Sequence, residues 1–205
     1  MSDCFKPHAG KYAAIIEAAV AEFQEKGFGA ASMDRIAARS EVSKRTLYKY
    51  FESKENLFRS IVAELSERFS GLCEFGYVRG RPIRQQLTDL AWAEARLLLT
   101  PDVIAMARMI ISETLRSPEL AAEAQGKLEH SPVFAELLRD AGADGVLNIA
   151  DPDDAASNFL ALIKSRAFWP AVMTGTQVSE ERMGEIVESS VDFMLCRYGV
   201  TPPAI

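Results

Sequence analysis

The stretch Ser32–Lys54, SMDRIAARSEVSKRTLYKYFESK, constrains the fold of this 205-residue chain more than any other. Ser32 is a favourable N-cap, Asp34 complements the helix dipole in the first turn, and Ile36 and Ala37 face inward. That helix ends near Ser40, and Val42 plugs the turn that follows. Ser43 caps a second short helix reaching Tyr50, in which Lys44, Arg45, Thr46, Tyr48, Lys49 and Tyr50 surround the single apolar Leu47. So polar a helix makes a poor core element: it is either a solvated face or a surface offered to a partner outside the fold. Ser53 then caps a third helix.

The flanking sequence is helical by pattern. From Lys11 to Lys26, Ile16, Ala19, Val20 and Phe23 mark one face of an amphipathic helix. Gly27 ends it and Phe28 turns back to the core. Gly27, Gly29 and Ser32 echo a dinucleotide fingerprint only superficially, since they follow a helix and the third glycine is missing. After Ser53, Leu57, Ile61, Leu65, Phe69 and Leu72 keep the 3.6-residue rhythm to about Phe75, roughly 30 Å of helix. Further helices are expected at 82–99, 101–116, 117–129 (resuming over 133–140 after Pro132), 151–173 with a bend at Pro170, and 179–198. Three of these starts carry Thr-Pro-Asp, Ser-Pro-Glu or Asp-Pro-Asp, a cap followed by proline at the first helical position. No strand candidate and no repeat interrupts the series. The expectation is an all-α chain of about nine helices.

Composition sets the outer bounds. With 48% hydrophobic and 25% charged residues the chain can bury an ordinary core. No apolar run approaches the roughly 18 residues of a membrane span, and the N-terminus lacks a signal-peptide core, so a cytoplasmic protein without membrane attachment is expected. Cys4, Cys73 and Cys196 are scattered and read as reduced thiols, and His8 and His130 sit in no ligand spacing. We expect no metal, no cofactor and no catalytic set. Asp151, Asp153 and Asp154 read as a helix cap and first turn.

The net charge of −6 is unevenly spread. Residues 1–56 hold nine Lys and Arg against eight Asp and Glu, whereas 57–205 hold fourteen against twenty-one. Between Ser43 and Lys54 four basic residues stand against Glu52 alone. A basic tip on an acidic body suits contact with a polyanion at one end.

Helix-turn-helix geometry places the second helix in the major groove of double-stranded DNA, with its N-terminal residues at the base edges. Lys44 and Arg45 have the donors for guanine, and Thr46 offers a hydroxyl and a methyl group. Tyr48, Tyr50 and Lys54 suit phosphates, Lys49 reaches either, and Ser32 with the amides at its helix start can add a phosphate contact.

These residues also carry a resemblance. IIEAAVAEFQEKGFGAASMDRIA followed by VSKRTLYKYFESKENLF resembles the DNA-binding domain of TetR-family transcriptional regulators. The matching positions are Val42, Ser43, Thr46, Leu47, Tyr48, Tyr50, Phe51, Ser53, Lys54, Glu55 and Leu57. The resemblance implies groove contacts from Lys44, Arg45, Thr46 and Tyr48, and phosphate contacts from Tyr50, Lys54 and the helix start at Ser32 and Met33. It implies a helix-turn-helix domain over 10–56 and a helical effector-binding and dimerisation domain over 57–205. One departure is Glu41, where the family usually has glycine. Either a glutamate at positive φ accepts strain of about 1 kcal/mol there or the turn differs slightly, and its carboxylate can lie near the DNA and weaken binding.

ISETLRSPELA at 111–121 and DPDDAASNFLALIKS at 151–165 resemble the AefR-like branch of the same family. A pocket between helices of such a bundle suits a small molecule. Its candidate lining is Trp92, Arg96, Met106, Met109, Ile110, Phe134, Leu138, Phe159 and Ile163, residue types that a helical core also needs. Arg96 beside Trp92 calls for a carboxylate partner or an anionic ligand. The last two helices carry small residues (Ala155, Ala156, Ala161, Gly184, Ser189, Ser190) and surplus apolar ones (Val187, Val191, Phe193, Met194, Leu195) suited to a homodimer interface. Two-fold symmetry then implies a palindromic operator. The expected function is a repressor released from DNA by an apolar or amphipathic effector. The alternative is a ligand-independent regulator acting through a protein partner.

Overall fold

The computed structural model describes residues 10–70, 75–124 and 132–200. Cys4, Cys73, His8 and His130, the stretch of the long helix from 71 to 74, and the end of the 117–129 helix lie outside them. The described residues form eleven α-helices and no β-strand. They divide into two compact units, one drawn from Met1–Gly71 and Asp102–Glu129, the other from Leu72–Pro101 and His130–Ile205.

The first unit opens with α1 (Lys11–Ala30), broken at Gly27, whose φ of 75° no helix accommodates. Next come α2 (Met33–Arg39), α3 (Lys44–Tyr50) and α4 (Lys54–Ser70). Ile15, Ile16, Ala19 and Phe23 of α1 are buried with Ile36, Leu47, Phe51, Leu57, Phe58 and Ile61. Phe28 turns back as expected, 5.4 Å from the Phe23 ring and 5.9 Å from that of Phe58. The chain later returns to this unit with α6 (Pro101–Thr114) and α7 (Pro118–Ala124). Gln24 donates to the Ala105 carbonyl at 2.8 Å, Arg59 pairs with Glu123 at 3.0 Å, and Arg68 pairs with Asp102.

The second unit holds α5 (Ile83–Leu98), α8 (Pro132–Ala143), α9 (Pro152–Lys164), α10 (Phe168–Thr174) and α11 (Glu180–Tyr198). α5 packs along α11, and α9 packs against both α8 and α11. Asp151 caps α9 as expected, accepting from the amides of Asp153 and Asp154. An isolated bridge between Leu147 and Gly199 fastens the α8–α9 loop to the end of α11.

Two differences account for eleven helices rather than about nine. The 133–140 pattern is a helix in its own right, α8. The 151–173 pattern is two helices, and the break falls at Ser165–Ala167 rather than at Pro170. Proline cannot donate to the carbonyl four residues back and its ring crowds that group. The helix therefore stops before Arg166, and Pro170 sits in the first turn of α10, where no intrahelical donor is needed.

Candidate nucleic-acid interface

Each end of the α2–turn–α3 unit is built by local hydrogen bonds. Ser43 accepts from the Thr46 amide at 3.1 Å and its hydroxyl lies 2.8 Å from that of Thr46. The turn is a Schellman closure: the Val42 amide donates to Ala37 at 3.1 Å and the Glu41 amide to Ala38 at 3.3 Å. Glu41 occupies its left-handed position, with φ 55°, alone among the described non-glycine residues. The departure from glycine is therefore met by backbone strain and leaves the turn intact. The Glu41 side chain is exposed and lines a shallow pocket of about 430 Å³ with Glu17, Glu25 and Arg39.

α3 keeps only Leu47 buried. Lys44, Arg45, Tyr48, Lys49 and Tyr50 are exposed, and Thr46 is half-buried by its cap bond. Lys44 reaches back to Asp34 at 2.6 Å, an exposed pair that costs little to open. Tyr50 stacks edge-on to Tyr12 at 6.3 Å, and Tyr12 lies 5.4 Å from Phe51. This aromatic cluster fixes the end of α3 against the start of α1. Burial pushes the Tyr12 phenol up, with Glu64 adding to the rise. Tyr12 is a supporting residue that sequence reasoning missed, because nothing local shows that it meets α3.

Two expected phosphate ligands have other engagements. The Met33 side chain is buried, which leaves its backbone as the part available for a phosphate contact. Lys54 donates to the carbonyls of Phe28 at 2.9 Å and Gly29 at 3.1 Å, and lies over the Phe28 ring at 5.1 Å. Its ammonium closes the end of α1 and so holds α4 to α1. Glu55 beside it is held below the usual carboxylate range, chiefly by a hydrogen bond from Ser53.

The orientation of α2 rests on Glu22, a residue the sequence reading passed over. Glu22 is buried, accepts from the Ser32 amide at 3.3 Å and pairs with Arg35 Nε at 2.5 Å. Arg35 also donates to the Ala30 carbonyl at 2.6 Å, and Arg39 pairs with Glu25 at 2.7 Å. Both arginines bind α2 to α1. The signal was present: Glu22 stands seven residues after Ile15, on the apolar face.

The expected effector residues are distributed over both units. Met106, Met109 and Ile110 are buried on α6 in the first. In the second, Phe134, Leu138, Phe159 and Ile163 are buried, with the Phe134 and Phe159 rings 5.6 Å apart. Trp92 is half-buried near Gly184, while Arg96 is exposed to solvent. The ionisable residue enclosed on α5 is instead Glu94.

A paired, exposed recognition helix on a three-helix support defines a helix-turn-helix DNA-binding protein. Comparison with known proteins gives the family. Residues 15–61 match the model for bacterial regulatory proteins of the tetR family. Residues 85–200 match the C-terminal domain of AefR-like transcriptional repressors. The chain belongs to the TetR family of transcriptional regulators. It is 32% identical over 171 residues to the HTH-type transcriptional repressor SCO4008 of Streptomyces coelicolor, covering 82% of this chain and 81% of that protein. A TetR family regulator from Pseudomonas syringae pv. tomato superposes with a TM-score of 0.84 at 36% identity, over 93% of this chain and 97% of that one. The Flavonoid-responsive Regulator FrrA superposes with a TM-score of 0.68 at 31% identity, over 95% and 98%. Regulators of this family bind DNA as dimers. No helix among the described residues is long and apolar enough to cross a membrane.

Proposed function

We propose that this regulator is a homodimeric repressor that leaves a palindromic operator when a small apolar or amphipathic effector binds its helical C-terminal region. The observation that carries the DNA reading is α3, seven residues with one buried side chain and a face of Lys44, Arg45, Thr46, Tyr48 and Lys49. Lys44 and Arg45 read base edges, with Thr46 beside them. Tyr48, Tyr50, Ser43, and the helix start at Ser32 and Met33 hold phosphates. Lys54 contributes by holding α4 and α1 together beneath α3, and turns to phosphate only where its carbonyl contacts open.

The dimer face lies on the C-terminal helices. Trp169, Met173, Phe193 and Val200 are exposed apolar residues there. A groove of about 350 Å³ on α9 and α11 is lined by Asn158, Ala161, Leu162, Ser165, Phe193 and Arg197. Of the residues expected at this interface, Ala161 and Phe193 are exposed, whereas Ala155, Ala156, Val187, Val191 and Met194 fill the unit's own core. Flavonoid responsiveness in FrrA supports a planar aromatic effector class for its relative here. A ligand moves the DNA equilibrium only by binding one state more tightly.

Tyr48→Ala tests the site. Operator affinity, measured by fluorescence anisotropy on DNA selected from a random pool, is expected to fall by about tenfold or more, while sedimentation still shows the dimer. Unchanged affinity removes Tyr48 from the interface.

A further inference from the structure

Four glutamates are buried among the described residues: Glu22, Glu64, Glu94 and Glu113. Three have close cationic partners in hydrogen-bonding geometry. Glu22 takes Arg35 Nε and the Ser32 amide, Glu64 takes two nitrogens of Arg68 at 3.3 and 3.2 Å, and Glu113 takes Arg116 at 3.2 Å. Glu94 on α5 differs. It is enclosed as fully as any of them, yet its Oε1 accepts no hydrogen bond. Lys164, at the end of α9, stands 3.4 Å from that oxygen with its own side chain about one-third exposed.

A buried carboxylate oxygen without a well-formed hydrogen bond is costly, and the charge of Lys164 at 3.4 Å offsets that cost in part. On α5 itself the buried residues that share a helical face with Glu94 by spacing, Leu87, Leu90, Ala91 and Leu98, have no donor to offer. A fold selected for stability alone would carry leucine at this position. Unsatisfied buried acceptors of this kind mark places where a ligand group completes the hydrogen bonding.

We infer that Glu94 Oε1 is the polar anchor of the effector site, taking a hydrogen bond from a hydroxyl or ammonium group borne on an apolar frame. Lys164, ion-paired to the same oxygen at 3.4 Å, keeps the carboxylate oriented. Anionic ligands are refused, since a carboxylate brought to Oε1 meets like charge in a low-dielectric interior. This inference rests on the effector reading above and adds the chemistry of the group that is read.

The test uses the full-length protein and matched naphthalene probes: 2-naphthol, its methyl ether, 2-naphthylmethylammonium and 2-naphthoate. Binding is followed by calorimetry and release of operator DNA by anisotropy. The naphthol or the ammonium is expected to bind at least about tenfold more tightly than the methyl ether, with the naphthoate weakest. The two donor arms show which source the site takes. In Glu94→Leu that preference is expected to collapse to about one, whereas Glu94→Gln retains most of it, because the amide oxygen still accepts. A structural role predicts instead that Glu94→Leu melts below the parent and keeps the preference. A preference absent in the parent, or intact in Glu94→Leu, overturns the inference even where probes release DNA. If no probe binds and none releases DNA, the effector reading for this aromatic class falls together with it.

Discussion

Glu22 and Glu94 stand in equivalent sequence settings and reach opposite ends. Each lies seven residues after an apolar core residue, Ile15 on α1 and Leu87 on α5, and each is almost fully buried. In the DNA-binding unit the carboxylate joins two helices, receiving the first amide at the start of α2 and the Arg35 guanidinium. In the C-terminal unit it is left with a lysine at 3.4 Å that stands outside hydrogen-bonding geometry. A recognition helix must be held in one orientation on the duplex, so the polar groups behind it are satisfied within the fold. The proposed effector site has the opposite requirement, since a group satisfied in advance has nothing left to offer a ligand.

The same substitution at both positions separates the two roles. Glu22→Leu removes the acceptor of the Ser32 amide and of Arg35 and is expected to lower unfolding stability by about 2 kcal/mol. Urea denaturation at fixed protomer concentration measures it, and operator affinity should fall in parallel as α2 loosens. Glu94→Leu is expected to leave stability unchanged or raise it by about 1 kcal/mol, because Lys164 can return its charge to solvent. Two losses of equal size would erase the distinction between the units.

The pH dependence sharpens the contrast further. Burial pushes the Glu94 carboxyl above the usual carboxylate range, and the charge of Lys164 opposes that rise only in part. Between the ordinary unfolded value of about 4.3 and the raised folded one, the native state binds more protons, so stability falls as pH rises. Glu94→Gln should abolish this share of the fall, giving a flatter profile across that window. An unaltered profile means that Glu94 is not the titrating group.

The smallest effect is expected at Glu41, where the cost is in the backbone rather than in a buried charge. Glu41→Gly relieves a left-handed residue in the turn and should stabilise by about 0.5 kcal/mol, after the greater freedom of glycine in the unfolded chain is counted. A loss of stability there would show that the exposed carboxylate makes a compensating contact.

Much of the fold was legible because helix starts and stops are local. Ser43, Asp151 and Ser179 cap their helices through amides two or three residues on, so the residues that decide each start lie side by side in the chain. Gly27 and Gly175 end theirs by the same local logic. The exposed face of α3 was equally plain, since a seven-residue helix with Leu47 as its one aliphatic side chain can bury little else. The candidate effector residues were less legible. Buried Met, Phe and Ile look the same whether they fill a core or face a ligand, and only helix packing shows Arg96 pointing to solvent and Glu94 enclosed.

The all-helical class and the helix-turn-helix therefore follow from the amino-acid sequence, because they depend on neighbours within a few residues; at Glu41 the structure decided between a strained left-handed residue and a different turn. Tertiary structure alone decided that Lys54 closes the end of α1 and that α6 and α7 pack with the DNA-binding unit. It also decided which of two similarly placed glutamates found its donors. Those outcomes turn on contacts between residues up to 81 positions apart, as between Gln24 and Ala105. Periodicity shows that a face is buried, and only the packed helices show what it is buried against.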